Sequence, residues 1–295
     1  MRIVVLDTAP WGRLLFEPMS VPTRQSESLP GAPGGDSPRS TSAGVHTTLR
    51  VLDLLAARAP LGLSEISREL GMPKSTVHRI CNVLVQRGWA VRDQETRFDL
   101  GIRALRLAGR AEELPIVTAF RTVAAEFLAL HDETVCLAVL DGSESLFIAL
   151  AETSHDVRLV TFVGSKTPAF ASASGRVVLA SLSNEAVAAT FPHGSLVTPT
   201  GHRLNGLPEL FSILAQVREK GYAENWEETA VGLYEASVPV ENDDGTVLAA
   251  LTTCVPTSRI TPERRDTIVA DLRAAGERLS QFVAWLPSFA ARRSV

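Results

Sequence analysis

Six polar residues in one short stretch, Lys74, Ser75, Thr76, His78, Arg79 and Asn82, are the part of this chain best equipped for chemistry. Each ends in a short or forked hydrogen-bonding group, the kind that meets phosphate oxygens and base edges in a DNA major groove. At helical period they fall largely opposite Val77, Ile80, Cys81 and Leu84, an apolar stripe suited to a core. Two further arginines, Arg92 and Arg97, flank a turn over 93–96. The pattern predicts base contacts from Ser75, Thr76, His78, Arg79 and Asn82, and phosphate contacts from Lys74, Arg92 and Arg97. A polar helix face can also be merely solvated, so the reading depends on the elements around it.

Those elements form an ordered set. Ser64 is placed to cap a short helix, Glu65 suits its first turn, and Ile66 and Leu70 share one face. Gly71 stops that helix, Pro73 suits the start of the next, and Arg87-Gly88 ends it. Residues 89–92 and 97–100 read as two short strands around the 93–96 turn. Helix, turn, helix and wing in that order make a DNA-reading module. A helix over 45–58, with Val45, Leu49, Leu52 and Leu55 as its inner stripe, precedes the module, and an Arg- and Leu-rich helix over 102–113 follows it. Charge agrees: 44–110 carries eleven Lys/Arg against six Asp/Glu, a net +5, while 111–295 carries fourteen against twenty-three, a net −9. A basic module on an acidic body is expected if only one end touches phosphate.

The run LSEISRELGMPKSTVHRICNVLVQRGWAVRDQETRFDL (63–100) resembles the N-terminal domain of IclR-type bacterial transcription regulators. VGSKTPAFASASGRVVLASL (163–182) and GYAENWEETAVGLYEASVPVENDDGTVLAALTTCVPTSRIT (221–261) are similar to that family's C-terminal effector domain. The likeness is continuous from about residue 43 to about 289. It implies a winged helix-turn-helix domain over 43–101 and a linker helix over 102–113 that helps dimerisation. An effector-binding domain of GAF/PAS-like fold would follow over 114–290, with a tail over 291–295. From the residues alone, 102–113 is described equally well as a simple amphipathic linker.

The resemblance also implies a small-molecule pocket on one face of the C-terminal sheet. Carried over by position, it falls on Ala173 and Ser174, then Asn225, Glu235, Thr252 and Cys254. Small residues at the first pair leave backbone N–H groups near a helix start free for an effector carboxylate. Asn225 stands where the family commonly has an acid, and Glu235 where it has a smaller neutral residue. A buried carboxylate disfavours an anionic ligand, so Glu235 points away from a simple dicarboxylate or keto acid and toward hydroxyl or amino groups. If Glu235 sits instead at the strand's rim, it faces water. Arg176, where the family has Lys, suits a structural ion pair.

The remainder reads as an α+β domain on an antiparallel sheet. Strands are expected over 134–140 and 145–152 around Asp141-Gly142, over 157–163, and over 235–240 and 246–255 around Asp243-Asp244-Gly245. Helices are expected over 114–131, 172–182, 207–220 and 262–283. Residues 1–42, rich in Pro, Gly and Ser toward their end, read either as a disordered arm or as upstream sequence preceding initiation at Met19.

Three cysteines, Cys81, Cys136 and Cys254, lack close spacing in sequence, which suits a reducing cytoplasm without structural disulfides. The six histidines are scattered, with none at metal-ligand spacing to another. There is no G-x-S-x-G elbow, phosphate loop or dinucleotide fingerprint, and Ser165, Ser174 and His155 are no more than any chain of this length offers. No enzyme activity, metal or cofactor is expected, and no membrane. The expected partners are double-stranded DNA with a near-palindromic operator, a small-molecule effector, and a second copy of the chain, as dimer or dimer of dimers. The competing reading is a metabolite-binding or thiol-redox-sensing protein, through Cys254, that binds DNA weakly or non-specifically.

Overall fold

In the N-terminal unit, α1 (Pro38–Arg58) buries Val51 and Leu55, one helical turn apart, with Leu52 and Leu54 half-buried beside them. The computed structural model describes residues 38–192 and 196–287, with side chains from Gly44 onward. The expected stripe fails in its first half, since Val45 and Leu49 are 58% and 54% exposed. Among the described residues the helix is buried only in its C-terminal half, and the apolar side chains a turn or two earlier stay exposed. Residues 38–42, expected within a disordered extension, are helical; 1–37 lie outside the described residues.

The short helix α2 (Leu63–Leu70) is capped by Gly62, not by Ser64. Glu65 occupies the third helical position, and its carboxylate accepts the Gly62 N–H at 2.7 Å, which fixes the cap one residue before Leu63. Gly71 ends it with φ 64°, a left-handed conformation that glycine adopts without a Cβ penalty. In α3 (Lys74–Gln86), Pro73 is the cap residue, just outside the helix, and Val77, Ile80, Cys81 and Leu84 are buried as expected. The wing pairs β1 (Ala90–Arg92) with β2 (Phe98–Leu100), antiparallel, Ala90 opposite Leu100. Phe98 is buried among Val51, Leu55 and Ile66, and so ties the wing to the helices. After it, α4 (Ile102–Ala111) buries none of its residues and exposes Ile102, Leu105 and Leu107.

The C-terminal unit, from Glu112 onward, opens with α5 (Pro115–His131), β3 (Thr134–Asp141), β4 (Glu144–Ala151) and β5 (Lys166–Pro168). It continues through α6 (Ala173–Ala180), α7 (Asn184–Thr190), α8 (Leu207–Lys220), β6 (Ala223–Trp226), β7 (Leu233–Glu241), β8 (Val247–Pro256) and α9 (Pro262–Val283). The strands form one six-stranded antiparallel sheet in the order β5-β4-β3-β8-β7-β6. The expected strand over 157–163 does not form. Of its apolar residues only Leu159 is buried, while Val157, Val160, Phe162 and Val163 are exposed, and backbone bonding to β4 starts later, with the Gly164 N–H on the Phe147 carbonyl at 2.8 Å. Alternation there mimics a strand, but the chain crosses the sheet edge as a loop. The expectations included none of β5, α7 and β6.

The sheet's two faces differ in kind. Val135, Leu137, Tyr234, Ala236, Val238, Leu251 and Val255 point to one side and pack on Phe120, Phe127, Ile268, Leu272 and Leu279 of α5 and α9. The opposite register positions hold Cys136, Thr252, Cys254, Glu235, Ser237 and Asn225, and α6 lies over them. α6 comes so close to the preceding loop that a Cβ on Gly175 would overlap the Ala169 backbone. Gly175→Ala is therefore expected to lower unfolding free energy by about 2 kcal/mol or more in urea titration. An unchanged midpoint would mean that the loop yields freely.

Candidate nucleic-acid interface and ligand site

The buried stripe of α3 turns Lys74, Ser75, His78 and Arg79 fully outward and leaves Thr76 and Asn82 half-exposed. Asn82 lies one turn after His78, its amide 3.4 Å from the imidazole Nε2. These six share one helix surface, as expected. From the wing, Arg92 is exposed, its guanidinium 5.6 Å from the centre of the Phe98 ring, a cation–π placement. Arg97 behaves differently. Its guanidinium donates to the Pro60 carbonyl at 2.6 Å and lies 3.7 Å from Glu65. The Gly62 N–H, with the Arg97, Arg68 and Arg58 charges, holds the Glu65 carboxyl below its ordinary range. The side chain is thus engaged in joining the wing to the start of α2, and is not grouped with Arg92 at an open tip.

At the other site, all six expected residues lie in the buried layer between α6 and the sheet. Ser172 caps α6, its hydroxyl accepting the Gly175 N–H at 3.1 Å, which puts Ala173 and Ser174 in the first turn. The Ser174 hydroxyl is 2.8 Å from that of Ser145 on β4. Glu235 is buried at 2% exposure, so it does not stand at a wet rim. Its Oε2 accepts from the Ala173 N–H at 3.2 Å and the Asn225 amide at 2.9 Å. The Asn225 amide also donates to Ala171 O at 2.6 Å, and its Oδ1 accepts from Glu228 N–H at 3.0 Å. The Thr252 hydroxyl is 2.8 Å from Ser237 Oγ. Arg176 forms the structural ion pair, forked onto Glu228 at 2.8 and 2.6 Å, with Nε on Phe170 O.

Burial raises the Glu235 carboxyl above its ordinary value of 4.5, opposed by the Ala173 N–H, Thr229 and Asn225 and by the Arg176 charge. The Thr229 hydroxyl lies beside that carboxyl yet forms no well-directed hydrogen bond. Cys254 and Cys136 sit diagonally on neighbouring strands, both as buried free thiols, a juxtaposition that their distance in sequence concealed. Cys136 and burial together push the Cys254 thiol upward. A thiol held protonated is a poor nucleophile, which weighs against redox sensing there.

Beside this layer lies a cavity of about 340 Å³ lined by none of the six. Its buried floor is Leu159, Thr229, Leu233 and Pro256; Arg158, Val160, Pro199, Thr200 and Val231 stand at the rim. Leu159 belongs to the segment expected as a strand, and no sequence signal marked Thr229.

The family model described as the IclR helix-turn-helix domain matches residues 45–94. The one described as the bacterial transcriptional regulator IclR C-terminal domain matches residues 108–281, more than half of the chain. This chain belongs to the IclR family of bacterial transcriptional regulators. It is similar to the HTH-type transcriptional regulator KdgR of Escherichia coli, 28% identical over 241 residues that cover 80% of this chain and 92% of the relative. XynR of the same species is 29% identical over 247 residues, covering 82% and 97%. An IclR transcriptional regulator from Alicyclobacillus acidocaldarius shares the fold at TM-score 0.72 and 27% identity, over 81% of this chain and 98% of that one. An IclR homologue from Microbacterium hydrocarbonoxydans, solved with 4-hydroxybenzoate, has a TM-score of 0.67 at 23% identity, over 81% and 98%. The IclR helix-turn-helix match takes in every expected DNA-facing residue except Arg97, and the C-terminal match takes in both the polar layer and the cavity.

Because burial raises the Glu235 carboxyl, the folded chain holds that proton more tightly than the unfolded chain. Its stabilising contribution is full below the ordinary carboxylate range and is lost as pH rises through the folded-state value. Glu235→Gln removes this dependence, so its stability should gain on that of the native chain as pH rises from about 4.5 toward about 8. Denaturant titrations along that range check it, and a pH-independent difference would contradict it.

Proposed function

We propose that this regulator reads its operator through α3 and adjusts its DNA affinity to a small molecule held by the C-terminal unit. The observation that carries the reading is the division of α3: Val77, Ile80, Cys81 and Leu84 are buried, leaving Lys74, Ser75, Thr76, His78, Arg79 and Asn82 on the outer surface. Ser75, Thr76, His78, Arg79 and Asn82 contact base edges, while Lys74 and Arg92 contact phosphates. Arg97 supports the wing from inside. Two copies of the chain read half-sites of a near-palindrome about one helical turn apart, or a multiple of that. The exposed apolar residues of α1 and α4, Val45, Leu49, Ile102, Leu105 and Leu107, support self-association. A bound effector changes DNA affinity by favouring one of two states for which it has unequal affinity. The 4-hydroxybenzoate held by a protein of the same fold favours a small organic effector.

Fluorescence anisotropy tests the reading on duplex from upstream of the gene and a scrambled duplex, across a salt series. Native duplex is expected to bind at least ~1000-fold more tightly than scrambled. Arg79→Ala should cost roughly 10–100-fold on the native duplex with little loss on the scrambled one, and should leave the unfolding midpoint in place. An Arg79→Ala protein that still discriminates fully would remove α3 as the reading element.

A further inference from the structure

In the N-terminal unit the reading helix and the wing carry opposite signs. α3 exposes Lys74 and Arg79 and contains no acid. The segment from Arg92 to Asp99 holds two arginines against three acids, Asp93, Glu95 and Asp99. By sequence both arginines flank the turn, as in the cationic tip of a minor-groove reader. The folded wing uses them otherwise. The Arg97 guanidinium turns back to the Pro60 carbonyl at 2.6 Å and lies 3.7 Å from Glu65, while that of Arg92 rests 5.6 Å from the centre of the Phe98 ring. Asp93 accepts the Arg97 N–H at 2.8 Å and so closes the turn. Glu95, at the tip, is exposed, and its carboxylate has no partner among the described residues. The tip therefore presents negative charge outward.

Nor is the wing free to swing clear. Leu61 and Phe98 exchange two backbone hydrogen bonds, at 2.9 and 2.8 Å, which tie its second strand to the segment before α2. The Trp89 N–H on the Leu84 carbonyl, at 2.8 Å, fastens its first strand to the end of α3. With α3 in a major groove, a wing held in this way lies over the adjoining minor groove and its phosphates. The potential there depends on sequence. A-tracts narrow the groove and deepen its negative potential, which rewards an inserted Arg or Lys. A carboxylate held there meets the reverse, most strongly where the groove is narrowest.

We infer that the wing tip reads DNA by repulsion. Glu95, backed by Asp93, makes this regulator disfavour an A-tract in the minor groove beside the segment that α3 reads, and favour a wider, G·C-containing groove there. Arg92, at the base of the wing, keeps its phosphate contact. The inference rests on the regulator reading above and adds a sequence class for the flank, set by a residue that bonds no base.

Footprinting on the native upstream duplex marks the segment read in the major groove. Two duplexes are then built around it, with an A-tract or alternating G·C over about five base pairs, half a helical turn, on either side. Fluorescence anisotropy compares the full native chain with Glu95→Gln and Glu95→Lys at about 50 mM and about 200 mM salt. Glu95→Gln should tighten the A-tract duplex at least about twofold more than the G·C duplex, the size of one exposed charge interaction. Glu95→Lys should enlarge that difference, and the higher salt should shrink it. Residue 95 lies in an exposed turn, so both variants should keep the native unfolding midpoint. A-tract stiffness is common to all three proteins and drops out of the comparison. Equal tightening on the two duplexes, no tightening on either, or a difference that salt leaves untouched overturns the inference. A native chain that fails to separate upstream from scrambled duplex loses the regulator reading. One that separates them without coupling the flank to residue 95 loses only the wing assignment.

Discussion

A sheet covered on both sides must answer every polar group on its inner surfaces, and in the C-terminal unit most of that demand falls on one face. Behind β3, β8 and β7 the side chains are mostly aliphatic or aromatic and pack on α5 and α9, with Thr253 donating to the Thr134 carbonyl at 3.1 Å and Tyr234 to Glu224 at 2.8 Å. In front, Asn225, Glu235, Ser237 and Thr252 are buried with Ser145, Ser172 and Ser174. Such groups are tolerated only where partners meet them. α6 supplies several of these partners from its first turn and the loop before it. That sets the closeness of the helix, and only glycine at 175 permits it.

The two buried acids of this sheet are satisfied by opposite means. Glu133, at the head of β3, is held by the guanidinium groups of Arg259 and Arg264 at 2.6–2.8 Å. Glu235 is met by N–H donors without formal charge. The first is an ion pair that fastens the α9 end of the unit to the sheet. The second leaves the carboxyl raised above its ordinary range by burial, with only neutral donors on its oxygen.

Much of the architecture was legible because its signals are local. Pro262 and the Thr261 cap fix α9, Gly221 ends α8, and the Asp141-Gly142 and Asp243-Asp244-Gly245 turns mark both hairpins. Thr252 and Cys254 were readable as sharing a face because strand period alone decides it. The misreadings share a cause, in that they required knowing what lies opposite. The 157–163 segment alternates like a strand but leaves all its apolar residues except Leu159 exposed, and Val45 and Leu49 continue a helical stripe that stays exposed among the described residues. Arg97 looks like a wing-tip cation until the Pro60 carbonyl and Glu65 are brought next to it.

The sheet also ends in a way that limits how copies of this protein can meet. Its two outer strands are β5, three residues closed by Pro168, and β6, four residues followed by the left-handed Glu227. Strands this short, one ending in a residue without an N–H, present little backbone for another chain to pair with. Growth of the sheet from one molecule into the next, the route to uncontrolled aggregation, is curtailed at both margins. Association is left to side-chain surfaces, whose fit can be made and released without unravelling a strand.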